Sequence, residues 1–304
     1  MPGKITITGG TGFIGSHLAQ QILGDGINTF SRNPLKELSS GQQHFQGDIT
    51  DFDAVRNSVK DATGIVHLAA VSREGLGVSQ PHSCIKTNFL GTLNVLEAAR
   101  TSKDKPWLIL ASSAAVKEIE SNEVIASDTE SLYGISKLFG EKCAEKYASD
   151  YELKIISLRI ETVYGSLRDN PNKVLNQMVK YALANEPISI HDANFDINLI
   201  HWQDVVQGIQ YCIKEIPFMP QSFYKCIYLG AESYIDIESL ARTIIRLANS
   251  KSQIIIHEKR THEKVIKRTS EEVNRSRDFL KFQPSISLEE GLMRLIDQYR
   301  KHYN

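Results

Sequence analysis

The sequence predicts an α/β fold, a doubly wound parallel sheet with a smaller α/β domain behind it. Three observations predict it. Short β-rich runs alternate with helical patterns from Lys4 to Leu158, the order expected of right-handed βαβ units. One of those runs, Trp107-Leu108-Ile109-Leu110-Ala111, is apolar throughout, as a strand covered by helices on both faces should be. The length, 304 residues, is long for one domain and short for three.

The elements follow in order. Lys4 to Thr8 is a short β-rich run that ends in glycines. A helical pattern starts near Phe13 and continues through Ile14, Leu18 and Ile22. Further strands are predicted at Ile27 to Ser31, Gln43 to Gln46, Gly64 to Leu68, Trp107 to Ala111 and Lys154 to Leu158. Helices are predicted at about 51–60, 82–101 and 131–149. After Gly165 the character changes. Arg168 to Asn172 reads as a loop, a helix follows at about 173–184, and Glu186-Pro187 breaks it. Helical patterns return near 203–214, 236–249 and 287–301, with a strand candidate at Gln253 to His257. The domain boundary is placed near 165: one domain over 1–165, to which a segment at about 195–230 can return, and a second over 166–304.

Composition narrows the class. Hydrophobic residues make up 41% and charged residues 23%, ordinary for a soluble globular chain. With 35 basic and 36 acidic residues the formal charge is −1, which points to neither nucleic acid nor a membrane surface as partner. No apolar run suits a signal peptide or a membrane span. The four cysteines, Cys84, Cys143, Cys212 and Cys226, form no CxxC pair and read as free thiols of a cytoplasmic protein. His191 and His201 lack ligand spacing, so no metal is expected.

The first strand runs into Thr8-Gly9-Gly10-Thr11-Gly12-Phe13-Ile14-Gly15. Gly9, Gly12 and Gly15 make a G-x-x-G-x-x-G pattern between a strand and a helix. Glycines allow a tight turn and let backbone N–H groups approach a pyrophosphate, which then sits on the helix N-terminus around Phe13 and Ile14. In that context the pattern predicts a Rossmann-type dinucleotide site. NAD enzymes usually place a carboxylate after the second strand, on the ribose hydroxyls. Here the stretch is Phe30-Ser31-Arg32-Asn33-Pro34. Arg32 can pair with a 2′-phosphate, and Ser31 can add a hydroxyl. NADP is therefore favoured, with NAD as the alternative. Asp48 and Ile49, after the third strand, are placed to border the adenine.

Tyr133 and Lys137 stand four residues apart and share a face on a helix. A nearby ammonium lowers a tyrosine pKa from about 10, which makes the pair a general acid/base for a hydroxyl or carbonyl. Lys137 can also hold the nicotinamide ribose. Ser112 and Ser113 end the apolar strand, at the carboxyl edge where ligands bind such sheets. A hydroxyl there can hydrogen-bond the oxygen that Tyr133 protonates.

Taken together, these residues resemble the extended short-chain dehydrogenase/reductase family, which contains nucleotide-sugar epimerases and dehydratases. The resemblance runs almost end to end. Thr8 to Gly15 looks like its phosphate loop and Gly47-Asp48-Ile49-Thr50-Asp51 like its adenine-side turn. His67-Leu68-Ala69-Ala70 resembles the strand end lining the cofactor, and Asn88 the asparagine that supports the active site. Ser113, Tyr133 and Lys137 fall where the family keeps its Ser/Thr, Tyr and Lys. Leu158-Arg159, Val163-Tyr164-Gly165, Asp204-Val205-Val206 and Ser287 to Leu292 match later landmarks. The resemblance also implies a homodimer, paired through the helices at 82–101 and 131–149.

The departures bear on the reaction. Family dehydratases follow the Ser/Thr with an acidic pair; here Ala114-Ala115 stand instead, which argues against dehydration. Sugar-nucleotide enzymes of the family usually have Asn where Thr162 stands, and often Arg where Ile197 stands, to hold the diphosphate. Ser112, Arg73, Thr162 and Arg168 are the substrate-side candidates, and Lys173 and His191 are further sources of charge. The leading expectation is an NAD(P)-dependent epimerase or oxidoreductase of a sugar, nucleotide-linked. The alternatives are a reductase of a non-sugar ketone or aldehyde and a non-catalytic NADP-binding regulator.

Overall fold

The structure, a computed structural model, describes residues 3–22, 26–35, 41–72, 74–121, 124–129, 131–257 and 270–303. The chain divides into two compact units. The first comprises Met1–Ile160, Val206–Tyr228 and Asp278–Leu280; the second comprises Glu161–Val205, Leu229–Arg277 and Lys281–Asn304.

The first unit is built on a seven-stranded sheet. Its strands are β1 (Ile5–Thr8), β2 (Ile27–Ser31), β3 (Gln42–Gln46), β4 (Gly64–His67), β5 (Trp107–Ser113), β8 (Lys154–Ile160) and β12 (Phe223–Leu229). The spatial order is β12-β8-β5-β4-β1-β2-β3, and β1 to β5 and β8 pair in parallel. The strands have the composition this demands: β1, β2 and β4 are buried along their whole length. The order reverses between β1 and β4. From β1 the chain crosses to β2 and β3 on one side, then returns to build β4, β5 and β8 on the other. At that switch point the crossovers lead away from one another and leave a crevice at the carboxyl ends of the strands.

Helices α1 (Phe13–Gln21), α2 (Phe52–Val59), α5 (Gly91–Thr101) and α6 (Leu132–Tyr151) belong to this unit. Local chemistry sets their limits. The Asp51 carboxylate caps α2 by accepting from Ala54 N, and Ser131 Oγ caps α6 by accepting from Gly134 N. Glu152 ends α6 in the left-handed region at φ 61°. One core joins Val55, Val59, Ile65, Val95, Leu96, Leu108, Ala144 and Ile155 across sheet and helices.

One helix expected at 82–101 is divided. The chain forms α3 (Glu74–Ser79) and α4 (Pro81–Ile85), then a π-helical turn over Lys86–Leu90, then α5. Periodicity does not reveal that turn, because apolar spacing continues through it; π-turns concentrate at functional sites. A hairpin of β6 (Lys117–Ser121) and β7 (Val124–Asp128) separates β5 from α6.

In the second unit, β9 (Thr162–Tyr164) runs parallel to β11 (Asp196–His201), which is antiparallel to β13 (Tyr234–Asp236). β10 (Ile188–His191) and β14 (Ile254–His257) form a parallel pair. Helices α7 (Val174–Ala184), α9 (Ile237–Ala248) and α11 (Leu288–Tyr303) bury Val179, Leu240, Ile244, Leu292 and Leu295 in a separate core. Helices α8 (Trp202–Glu215) and α10 (Ser270–Leu280) each have residues in both units. Asp204, in the first turn of α8, accepts from Ser285 N, Ser285 Oγ and Ile286 N. β14 matches the strand expected at Gln253 to His257, whereas β9 and β13, with three residues each, give too few alternations to register a period of two.

Candidate active site

The glycine loop joins β1 to α1. Gly9 has φ +73°, and a Cβ there would press on Ala69 N at the end of β4. A Cβ on Gly15 would overlap the Gly9 carbonyl oxygen. The loop is closed by Gly12 N donating to Gly9 O at 2.9 Å. Gly12 caps α1 without a side-chain hydrogen bond, and the first turn carries no acidic residue. Phe13, Ile14 and Gly15 form that first turn, directly after the glycine loop. These residues fit a dinucleotide pyrophosphate on a helix N-terminus.

The ends of β1 and β4 are tied by a buried relay. Thr8 and His67 are register partners. Thr8 Oγ1 accepts from Ala69 N at 3.3 Å and lies 2.7 Å from His67 Nδ1. His67 Nε2 lies 3.1 Å from Thr92 Oγ1 on α5. A hydroxyl that already accepts from Ala69 satisfies both groups by donating to Nδ1, which leaves Nε2–H to donate to Thr92. Burial first, and then the charge of Lys137, push His67 down to about 3, so the ring is neutral at ordinary pH. Leu68, Ala69 and Ala70 are half-buried at this strand end.

After β2, Ser31 is buried and Arg32 is exposed. Ser31 Oγ accepts from Thr11 Oγ1 and donates to Asn33 O at 2.9 Å. Gln46 Nε2 donates to Arg32 O, and His44 Nε2 lies 3.1 Å from Asn33 O. The turn carrying Arg32 is thus braced from β3, by two residues that sequence reasoning passed over. Asp48 is exposed and accepts from Thr50 N and Thr50 Oγ1. The Thr50 amide first, and the charges of Arg32 and Lys86 further down, hold its carboxyl below the usual range. Ile49 is buried, and its carbonyl accepts from Asn94 Nδ2.

Tyr133 and Lys137 meet on α6, and Lys137 reaches β5, the strand that ends in Ser113. The Lys137 ammonium lies 5.9 Å from the Tyr133 ring centre, within reach of its negative face. Lys137 Nζ donates to Ala111 O, two residues before Ser113, at 2.8 Å. Burial pushes Lys137 down to about 8, against the opposing pull of Cys84 and Glu141. Ser113 is half-buried and its Oγ accepts from Ala115 N at 3.1 Å.

Asn88 lies in the π-turn and has every polar atom engaged. Its amide nitrogen donates to Val71 O and Ser136 Oγ, and its oxygen accepts from Val71 N at 2.7 Å. Ser136 Oγ passes the link on to Tyr133 O at 2.7 Å. Asn88 therefore braces the first turn of α6 against the loop after β4.

Ser112 is oriented differently from its neighbour. Its hydroxyl is buried and donates to Glu141 Oε1, a carboxylate paired with Arg159 at 2.9 and 2.7 Å. Thr162 and Arg168 lie in the second unit. Thr162 is half-buried in β9 opposite Leu199, and Arg168 is exposed with its amide on Ser166 Oγ. Lys173 pairs with Asp169 at 2.8 Å, and His191 stacks on His257 at 4.9 Å. Arg73 lies outside the described residues. Among the described residues no group of three or more His, Cys, Asp or Glu is placed to hold a metal ion, and no helix is long and apolar enough to cross a membrane.

Comparison with known proteins adds to this geometry. Residues 5–222 match the model of the NAD dependent epimerase/dehydratase family. An uncharacterized protein of Methanocaldococcus jannaschii is 28% identical, over 97% of this chain and 96% of its own. The UDP-glucuronate 4-epimerase of Thermodesulfobacterium geofontis is 26% identical, over 97% and 95% respectively. Among solved structures, the UDP-glucuronic acid 4-epimerase of Bacillus cereus, in complex with UDP-glucuronic acid and NAD, superposes with a TM-score of 0.86. The identity is 23%, over 99% of this chain and 100% of that one.

Proposed function

The chain belongs to the NAD dependent epimerase/dehydratase family, and from that premise we propose that it epimerises a nucleotide-linked sugar, with a UDP-linked uronic acid as the first substrate to test. The observation that supports this is the Lys137 ammonium set against the Tyr133 ring and bonded to Ala111 O on β5, the strand that ends in Ser113.

Each residue has a distinct task. Tyr133 takes the proton of a sugar hydroxyl and later returns one to the carbonyl oxygen. Ser113 hydrogen-bonds that same oxygen. Lys137 stabilises the phenolate by its charge and binds the nicotinamide ribose. The bound dinucleotide supplies the hydride chemistry. Gly9, Gly12, Phe13, Ile14 and Gly15 hold its pyrophosphate, Asp48 and Ile49 border the adenine, and Leu68, Ala69 and Ala70 line its path. Asn88 acts on the site through Ser136. Ala114 and Ala115 offer no acid for a leaving hydroxyl, which supports epimerisation over dehydration. The second unit serves as the substrate-binding body. The leading form is a cytoplasmic homodimer: its cysteines are free, and Leu90 and Ile135 are exposed on the π-turn and α6.

For the cofactor, the braced turn with Arg32 favours NADP, whereas the Bacillus cereus structure holds NAD. Titration with NADPH and NADH, for wild type and Arg32→Ala, separates the two. A preference for NADPH that the variant loses assigns Arg32 to the 2′-phosphate. Equal or tighter NADH binding assigns NAD.

Incubation with UDP-glucuronic acid or UDP-glucose and catalytic cofactor tests the reaction. Inversion at one carbon without net cofactor consumption supports the proposal. A reaction that stops after one equivalent of NADPH replaces it with a reductase. A specific observation favours that second reading: Ile197, where relatives often carry Arg, packs against the apolar core of the second unit. Unaltered substrate with every sugar nucleotide, together with tight cofactor binding, would leave a non-catalytic regulator.

A further inference from the structure

Tyr133, Lys137 and Glu141 follow one another at intervals of four on α6, so they lie along one face. The first two belong to the site. Glu141 is 4% exposed and forms a two-pronged ion pair with Arg159, itself 2% exposed. Arg159 and Ser112 are register partners on β8 and β5, and Ser112 Oγ donates to the same carboxylate. The carboxylate is thus clamped from two strands. One residue before Ser112, the Ala111 carbonyl accepts from Lys137 Nζ.

A buried ion pair is a poor device for stability alone, because desolvation offsets most of its attraction. An apolar pair would fill this space at lower cost. What an apolar pair would not supply is a fixed negative charge one helical turn beyond the Lys137 ammonium. The groups that act on that ammonium come from several elements: Cys84 from α4, Glu141 from α6 and His67 from β4. Among the described residues Glu141 is the one carboxylate of this set.

We propose that Glu141, clamped by Arg159 and Ser112, is a positioning residue for Lys137, holding its ammonium protonated and aimed between the Ala111 carbonyl and the Tyr133 ring. The functional meaning rests on the reading that Lys137 serves Tyr133; the electrostatic coupling does not. Ser112 then has its own role, as one side of the clamp that fixes the carboxylate.

The test reads protonation directly. Protein labelled with 13C at lysine Cε and glutamate Cδ is titrated by NMR, with Lys137 assigned by its loss in Lys137→Met. The expected Lys137 midpoint is about 8, with an inflection of the Glu141 carboxylate resonance at the same pH. In the double variant Glu141→Gln/Arg159→Met, which removes both buried charges, the Lys137 midpoint falls by about one unit. The alkaline limb of kcat falls with it, while KM for the sugar nucleotide holds. A folded double variant with an unmoved midpoint overturns the proposal. So does a wild-type Glu141 resonance blind to the Lys137 titration, a measurement that needs no variant to fold. A coupled titration in a protein that turns over no sugar nucleotide leaves this inference standing and defeats the proposed function instead.

Discussion

Asn88 and Ser136 meet at 2.9 Å, the amide of one donating to the hydroxyl of the other, although they stand on different elements. Ser136 in turn donates to the Tyr133 carbonyl, so the π-turn braces the helix that carries Tyr133 and Lys137. Asn88→Ala leaves Val71 N and Val71 O without their partner. The expected cost is about 1–3 kcal/mol in urea unfolding, with turnover reduced roughly tenfold if the near-attack geometry loosens. Unchanged melting and unchanged turnover would remove Asn88 from the support of the site.

Gly15→Ala forces a Cβ onto the Gly9 carbonyl oxygen and opens the phosphate loop. Dinucleotide affinity, read by calorimetry, falls at least roughly tenfold, or about 1.4 kcal/mol. The far-UV circular dichroism stays that of the wild type. Retained affinity would mean that the pyrophosphate binds elsewhere.

Lys137 carries a pKa of about 8, lowered by burial. Its ammonium is present below that pH and is lost as pH rises through it. For the free enzyme, kcat/KM therefore declines above about pH 8. Lys137→Met removes that limb and lowers turnover roughly a hundredfold or more. Tyr133→Phe gives a comparable loss. A flat profile from pH 7 to about pH 10 in the wild type would dissociate the ammonium from the chemistry.

His67 governs acid stability. Its folded pKa of about 3 lies below its ordinary value of 6.5. Between those two values the unfolded chain binds a proton that the native ring refuses, so stability falls as pH falls through the window. The accumulated loss by pH 3 is on the order of 4 kcal/mol. In His67→Gln, the urea midpoint is less dependent on pH between 6.5 and 3 than in the wild type. A variant as steep as the wild type would place the acid sensitivity elsewhere.

Much of the candidate site was legible because its signals are local. Gly9, Gly12 and Gly15 sit within one turn, and their meaning depends only on a strand before and a helix after. Tyr133 and Lys137 are neighbours on any helix, whatever that helix packs against. The main strands of the first unit were equally legible, since a doubly covered strand advertises itself by continuous apolar character.

The sequence by itself determined the α/β class, and it singled out Gly9, Gly12, Gly15, Ser113, Tyr133 and Lys137 as the candidate site. The tertiary structure decided which of two adjacent serines meets the buried carboxylate of α6. Ser112 and Ser113 are indistinguishable as letters, but successive residues of a strand point to opposite faces, and only the packing of α6 and β8 shows that Ser112 meets Glu141. It also decided that Thr8 meets His67, that Asn88 meets Ser136, and that Arg159 pairs with Glu141. These partners lie on separate elements, and no periodicity links them. A local pattern records what a backbone segment can become; a buried charge or ring records what the other segments bring to it.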